Sequence, residues 1–82
     1  MIMSKNEDLK KQAEEWVRSG KPCIYRYGWA YRGTRAREIT QEKASELLPK
    51  YSFGMGFYEL SFTKHNGQEV LEFNELSAND LY

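Results

Sequence analysis

The segment from Cys23 to Arg37, CIYRYGWAYRGTRAR, combines aromatic rings with arginines at short spacing. Rings of this kind can stack on nucleic-acid bases while arginines hold phosphates. The same residue types also dominate the binding energy of many protein interfaces. The candidate binding residues of the chain are therefore Arg26, Trp29, Tyr31, Arg32, Arg35 and Arg37.

The order of residues in this segment predicts a strand whose rings and guanidinium groups lie on opposite faces, because side chains alternate along a strand. We expect the rings to face a core and the arginines to face water, although a bulge at Gly28 would shift the phase. Beyond the strand, a turn at 32–34 would let several arginines converge on an anionic partner. The ring face would hold Cys23, Tyr25, Tyr27, Trp29 and Tyr31, and the other face Ile24, Arg26, Gly28, Ala30 and Arg32.

The charge of the chain is balanced overall but uneven along it. Twelve basic and twelve acidic residues give a net charge of zero, which removes the global attraction that many nucleic-acid binders use. Residues 22–39 carry four arginines and one glutamate, whereas residues 50–82 carry two lysines and five carboxylates. Two interpretations remain open: the arginines pair with acidic residues of a neighbouring strand, or they bind a ligand.

The residue types that support catalysis are sparse. His65 is the one histidine and falls in a predicted turn, and Cys23 at the start of an aromatic strand is typical of a small buried residue. Neither supplies the paired spacing of a zinc site. The Gly54-Met55-Gly56 stretch lacks the lysine and the strand-helix context of a phosphate loop. Glu59 and Glu72 could face each other across a hairpin, where ordinary surface charges are the simpler interpretation. We therefore expect no enzyme, no cofactor and no metal.

The sequence also bounds the setting in which the protein works. A single cysteine cannot form an internal disulfide, which fits a reducing compartment, and we expect a cytoplasmic protein. No apolar run is long enough to span a bilayer, so we expect no membrane partner. A chain of 82 residues with an ordinary globular composition predicts a single domain over residues 1–82.

The periodicity of the apolar residues and the positions of the capping and turn residues predict an α+β fold. The expected fold is a small three- or four-stranded, mainly antiparallel sheet covered on one face by two helices, in the order α-β-β-α-β-β. An Asn66-Gly67 pair marks a tight hairpin between the last two strands. The predicted elements are a helix at Lys5–Arg18 capped by Ser4, strands at 23–32 and 36–39, a helix from Thr40 to Pro49, strands at 57–63 and 69–74, and a closing helical turn at 77–80.

The same periodicity predicts which side chains are buried. On the first helix the apolar stripe is Leu9, Ala13, Trp16 and Val17. In the last two strands, Tyr58, Leu60, Phe62, Leu71 and Phe73 should face inward, and Val70, Glu72 and Asn74 outward. Phe53 and Met55 in the loop before these strands are further candidates for the core.

These observations favour a small binding module that acts through another macromolecule, with a protein as the first choice of partner. A single-stranded nucleic-acid-binding domain that uses residues 23–37 is the alternative. A homodimer through exposed aromatic residues is a third form of association. Small domains without catalytic equipment are frequent among accessory proteins of phages and mobile elements, and size alone associates this chain with that class.

Overall fold

A computed structural model describes residues 5–29, 33–54 and 58–76, with the backbone alone considered at Trp29 and Leu76. The fold is α+β, as predicted: two helices and a four-stranded sheet. Its elements are α1 (Lys5–Arg18), β1 (Cys23–Trp29), β2 (Gly33–Ile39), α2 (Gln41–Leu47) followed by a 3-10 turn (Leu48–Lys50), β3 (Glu59–His65) and β4 (Gln68–Leu76).

Helix α1 has the predicted bounds and buries the predicted stripe. Ala13 and Val17 are buried, while Leu9 and Trp16 are partly buried against the same core. The Trp16 indole lies edge-on to Phe62, with ring centroids 5.3 Å apart, and donates to the Pro22 carbonyl at 2.8 Å. The helix is therefore fixed to the sheet at its C-terminal end, which offsets the marginal stability of an isolated helix of this length.

Helix α2 begins where its sequence predicts. The Thr40 hydroxyl accepts a hydrogen bond from the Lys43 amide at 3.1 Å, the geometry of an N-cap. Pro49 cannot continue an α-helix, and the chain tightens there into the 3-10 turn. The Lys10 ammonium of α1 donates to the carbonyls of Leu48 and Tyr51, which ties the two helical segments together. Burial lowers the pKa of this lysine.

The sheet is mixed and has the strand order β2-β1-β4-β3. The β1–β2 and β3–β4 pairs are antiparallel hairpins, and the two central strands β1 and β4 run parallel. The chain leaves one edge strand at Ile39 and enters the other at Glu59, passing through α2 on the way. This crossing sets the two hairpins side by side and gives the sheet its parallel pair.

The core lies on one face of this sheet, between the strands and both helices. Strand residues Cys23, Leu60, Leu71 and Phe73 are buried there. They pack with Ala13, Val17, Ala44, Tyr51 and Phe53. We call this the helix side of the sheet. The inward positions predicted for Leu60, Leu71, Phe73 and Phe53 are confirmed, and Met55 lies outside the described residues.

The opposite face is less open than predicted. Ile24, Val70 and Glu72, which the alternation placed in solvent, are 1%, 2% and 7% exposed. All three lie on the two central strands: Ile24 and Glu72 have a paired strand on each side, and Val70 pairs with Thr63 of β3. Arg26 adds to this cover, because its side chain reaches across to Glu72. The prediction of a fully solvated face was wrong at these positions.

Several strand boundaries also differ from prediction: β3 and β4 each extend two residues further toward the C-terminus than expected, and β4 begins one residue earlier. Strand β2 begins at Gly33 and not at Ala36, so the residues expected in a turn at Gly33 and Thr34 belong to the strand. Strand β3 begins at Glu59, and Tyr58 before it has a φ of 48° and an exposed ring, contrary to its predicted inward position. The Asn66-Gly67 turn is confirmed by φ values of 55° and 80°. Ser4, Tyr31, Arg32 and the turn predicted at 77–80 lie outside the described residues.

Gly28 keeps β1 and β2 in close contact without a bulge. The pairing runs without interruption from Cys23 opposite Ile39 to Trp29 opposite Gly33, so the alternation keeps its phase. Gly28 has a φ of 139°, and a Cβ there would lie 2.6 Å from the Gly33 carbonyl oxygen. Both the backbone angle and the contact exclude a larger residue.

Replacing Gly28 with alanine should therefore lower the free energy of unfolding by about 2 kcal/mol or more. The matched control is Gly33→Ala, since Gly33 also has a positive φ (88°) but a Cβ added there would meet no atom of the described residues within 4 Å. Only the backbone penalty of about 1 kcal/mol applies there. Urea denaturation of the three proteins measures the difference. Equal losses in the two variants would contradict the close approach at Gly28.

Candidate functional site

The pairing of β1 with β2 brings rings and arginines to the same face. Tyr25 lies directly opposite Arg37, and Tyr27 directly opposite Arg35. Residues that lie opposite each other in a sheet project to the same side. Tyr25, Tyr27, Arg35 and Arg37 together form the surface that we call the aromatic–arginine face, on the helix side of the sheet.

The expectation that the rings and guanidinium groups of the first strand occupy opposite faces agrees with β1, but it did not extend to the arginines of β2. Within β1, the side chain of Arg26 projects to the face of the sheet that Tyr25 and Tyr27 do not occupy. Strand β2, however, pairs odd-numbered residues with odd-numbered residues, so its two arginines join the rings. The sequence does carry one signal for this arrangement: the rings and the two arginines all have odd residue numbers. That signal places them on one face only if the hairpin register pairs odd residues with odd residues, as it does here.

Arg26 has a structural role on the other face. Its Nε lies 3.0 Å from a Glu72 carboxylate oxygen, and its guanidinium donates to the Thr34 hydroxyl at 3.0 Å. This is the pairing between the arginine segment and the acidic C-terminal hairpin that the charge distribution suggested. Since Glu72 is buried, the ion pair satisfies a charge that would otherwise be costly there.

The other predicted site residues divide into two groups. Arg35 and Arg37 are exposed, and within residues 5–29, 33–54 and 58–76 neither takes part in an ion pair. Their guanidinium groups are therefore available in the described surface. Trp29 lies at the end of β1, where its backbone alone is described, and Tyr31 and Arg32 lie outside the described residues.

The two rings of the aromatic–arginine face mark the border between core and surface. Tyr25 and Tyr27 are stacked with centroids 5.5 Å apart and an angle of 21° between their planes. Tyr25 is half-buried against the core, and Tyr27 is 37% exposed. The prediction that all the rings of β1 face the core thus fails at Tyr27. Along β1 the packed core ends at Tyr25, two residues earlier.

A carboxylate holds Tyr25 in place. The Tyr25 hydroxyl donates to a Glu75 carboxylate oxygen of β4. Burial first, and then this hydrogen bond, raise the pKa of Tyr25. Tyr51 lies close by, and burial followed by the charge of Glu75 raises the pKa of Tyr51 to about 12. Sequence reasoning missed this cluster because it joins three segments far apart in the chain.

Two clefts open around this cluster, and they share Leu47, Tyr51 and Glu75. One of about 270 Å³ is also lined by Tyr25, Arg37, Ile39 and Lys43. The other, of about 350 Å³, is completed by Lys50 and Tyr58. The surface beside the aromatic–arginine face is thus concave, and it combines three cationic side chains with one carboxylate and several rings.

The residues considered for catalysis are not brought together. Cys23 is buried, and burial raises its thiol pKa to about 11, which disfavours a thiolate nucleophile near neutral pH. His65 ends β3 opposite Gln68. Glu59 pairs with Asn74 and Glu72 with Ser61, so the two glutamates do not lie opposite each other across the hairpin. In the part of the chain that the structure describes, no three His, Cys, Asp or Glu residues are grouped as metal ligands would be.

No family model, no curated protein and no solved structure matches the chain. Among the described residues, no helix has the length and apolar character needed to cross a membrane. Any functional conclusion therefore depends on the surface itself.

The Tyr25–Glu75–Tyr51 cluster predicts a distinct alkaline titration. Both tyrosines have pKa values raised in the folded protein, so they stabilise the fold fully below the unfolded pKa of about 10, and this stability is lost as the pH rises through the folded values. We expect Glu75→Gln to move the high-pH part of the tyrosinate absorbance titration, which reports Tyr25 and Tyr51, to lower pH. Glu69→Gln, a substitution at an exposed position of the same strand, should leave it unchanged. An identical titration in all three proteins would contradict the cluster.

Proposed function

We propose that the protein is a non-enzymatic binding module that recognises another protein through the aromatic–arginine face. The observation that carries this proposal is the placement of Arg35 and Arg37, exposed and without described ion pairs, directly opposite the stacked rings of Tyr27 and Tyr25. Tyrosine and arginine are the residue types that concentrate binding energy at protein interfaces.

The anchoring of Tyr25 supports the same proposal. A ring held by a hydrogen bond to Glu75 and by stacking on Tyr27 loses little conformational freedom when a partner packs on it. The neighbouring clefts form a concave, partly apolar surface that is lined by Leu47 and Tyr51. A partner side chain that fills one of these clefts would be desolvated beside a pre-ordered ring, and such sites concentrate binding energy.

Single-stranded nucleic acid is the second candidate, and the stacked pair of tyrosines flanked by guanidinium groups favours it. Three features favour a protein over it. The net charge is zero. Two arginines support only a few phosphate contacts. The carboxylate of Glu75 lies at the hydroxyl group of Tyr25, where its charge would repel a phosphate backbone.

We place the protein in the cytoplasm, because its cysteine is a buried free thiol that suits a reducing compartment. We also propose an accessory role in a phage or mobile element, because the domain is small and carries a candidate binding surface.

Reversing the charge of the aromatic–arginine face tests the proposed function. Arg35→Glu combined with Arg37→Glu should reduce retention of the partner protein by about tenfold or more in affinity capture, because both side chains would then repel the groups that they bind. The matched control is Lys5→Glu with Lys11→Glu, which makes the same change of charge at exposed positions of α1. Circular dichroism should show all variants folded.

The same variants distinguish the two candidate partners. We expect an oligothymidine probe to bind weakly at low salt and not measurably at physiological salt. Tight binding of the probe that falls steeply with salt and is lost in the Arg35/Arg37 variant would assign the face to nucleic acid. A protein partner retained equally by the wild type and by both variants would remove the face from the account.

A further inference from the structure

The strand order leaves the outer edge of β2 without a partner strand among the described residues. Strand β2 is 7 residues long, and its side chains are largely exposed. An edge of this kind presents backbone N–H and C=O groups that can pair with another chain. At the opposite edge, β3 is capped at its start: the Ser52 amide donates to the Tyr58 carbonyl and the Leu60 amide to the Ser52 carbonyl, both at 3.0 Å.

The charges along β2 select what can pair with it. Arg35 and Arg37 project to the helix side, so a strand added at this edge would place alternate side chains directly opposite the two guanidinium groups. Carboxylates at those alternate positions would form cross-strand ion pairs with residues that have none in the described structure. Cationic side chains there would be repelled.

A second copy of the chain is a poor occupant of this edge. A symmetric antiparallel pairing centred on Ala36 would set Arg35 opposite Arg37 of the second copy, and centring it on Arg35 or Arg37 would set that arginine opposite itself. Like charges directly opposite each other destabilise a strand pair. The same charges that attract an acidic strand therefore oppose self-association.

We propose that β2 binds an extended acidic segment of a partner protein by strand addition, with carboxylates at alternate positions opposite Arg35 and Arg37. The backbone of the segment pairs with the free edge of β2, and its side chains on the helix side lie beside Tyr25 and Tyr27. This inference rests on the proposed function and specifies the chemistry of the partner.

A designed peptide tests the charge requirement. The probe has the length of β2 and alternates glutamate with threonine and valine, and its control has glutamine in place of glutamate. Fluorescence anisotropy should show the glutamate peptide binding at least about tenfold more tightly than the control. Arg35→Glu with Arg37→Glu should abolish this preference, and Lys5→Glu with Lys11→Glu should leave it intact. Equal binding of the two peptides would overturn the proposal.

Backbone methylation tests the strand pairing itself. In the glutamate peptide, N-methylation of every amide removes the donors and crowds both edges of the strand while the charge stays the same. We expect this peptide to lose binding, whereas methylation of one alternate set of amides, on the edge that faces away from β2, should be tolerated. Binding of the fully methylated peptide as tightly as the parent would show a purely electrostatic contact and would overturn strand addition.

Nuclear magnetic resonance separates the failure of this inference from the failure of the proposed function. The peptide should shift the backbone amides of β2 more than those of β3. Peptide-induced shifts confined to the side chains of the aromatic–arginine face would overturn strand addition and leave the proposed function standing. A concentration-dependent dimer that shifts the β2 amides without peptide would assign the edge to a second copy and overturn the acidic partner.

Discussion

The structure depends on the register that aligns side chains in rows across the four strands. One row runs from Leu60 through Phe73 and Tyr25 to Arg37, so it begins in the buried core and ends in an exposed guanidinium group. Two residues further along β1, Tyr27 pairs with Glu75 on one side and with Arg35 on the other. Because every side chain keeps its row, a single row passes from buried packing at β3 to exposed charge at β2.

The anchored and the free parts of this surface have different causes. Tyr25 is fixed by Glu75, which comes from the parallel neighbour β4, and Arg26 is fixed by Glu72 on the opposite face. Arg35 and Arg37 lie on an edge strand, with β1 as the sole neighbouring strand in the described sheet. The position of a residue in the sheet thus decides whether its charge is paired within the fold, as at Arg26, or exposed to solvent, as at Arg35 and Arg37.

Local patterns were sufficient for the helices and the hairpin turn. The stripe of α1, the Thr40 cap and the Asn66-Gly67 turn each arise from residues close in sequence. The parallel pairing of β1 with β4 joins residues almost fifty positions apart, and no local pattern specifies it. Two errors arose where strands meet: Arg35 and Arg37 were placed just after a turn, without their pairing to Tyr27 and Tyr25, and the buried Glu72 was assigned to solvent. Both errors concern register and neighbours, which alternation within a single strand cannot supply.

The alignment of β2 against β1 is the claim on which the functional account depends most directly. Nuclear Overhauser contacts across the hairpin measure it in solution. The account predicts contacts between the side chains of Tyr25 and Arg37 and between those of Tyr27 and Arg35. Contacts of Arg35 with Gly28 and of Arg37 with Arg26 in their place would mean a slip by one residue, which moves both arginines to the opposite face. The aromatic–arginine face would then not exist.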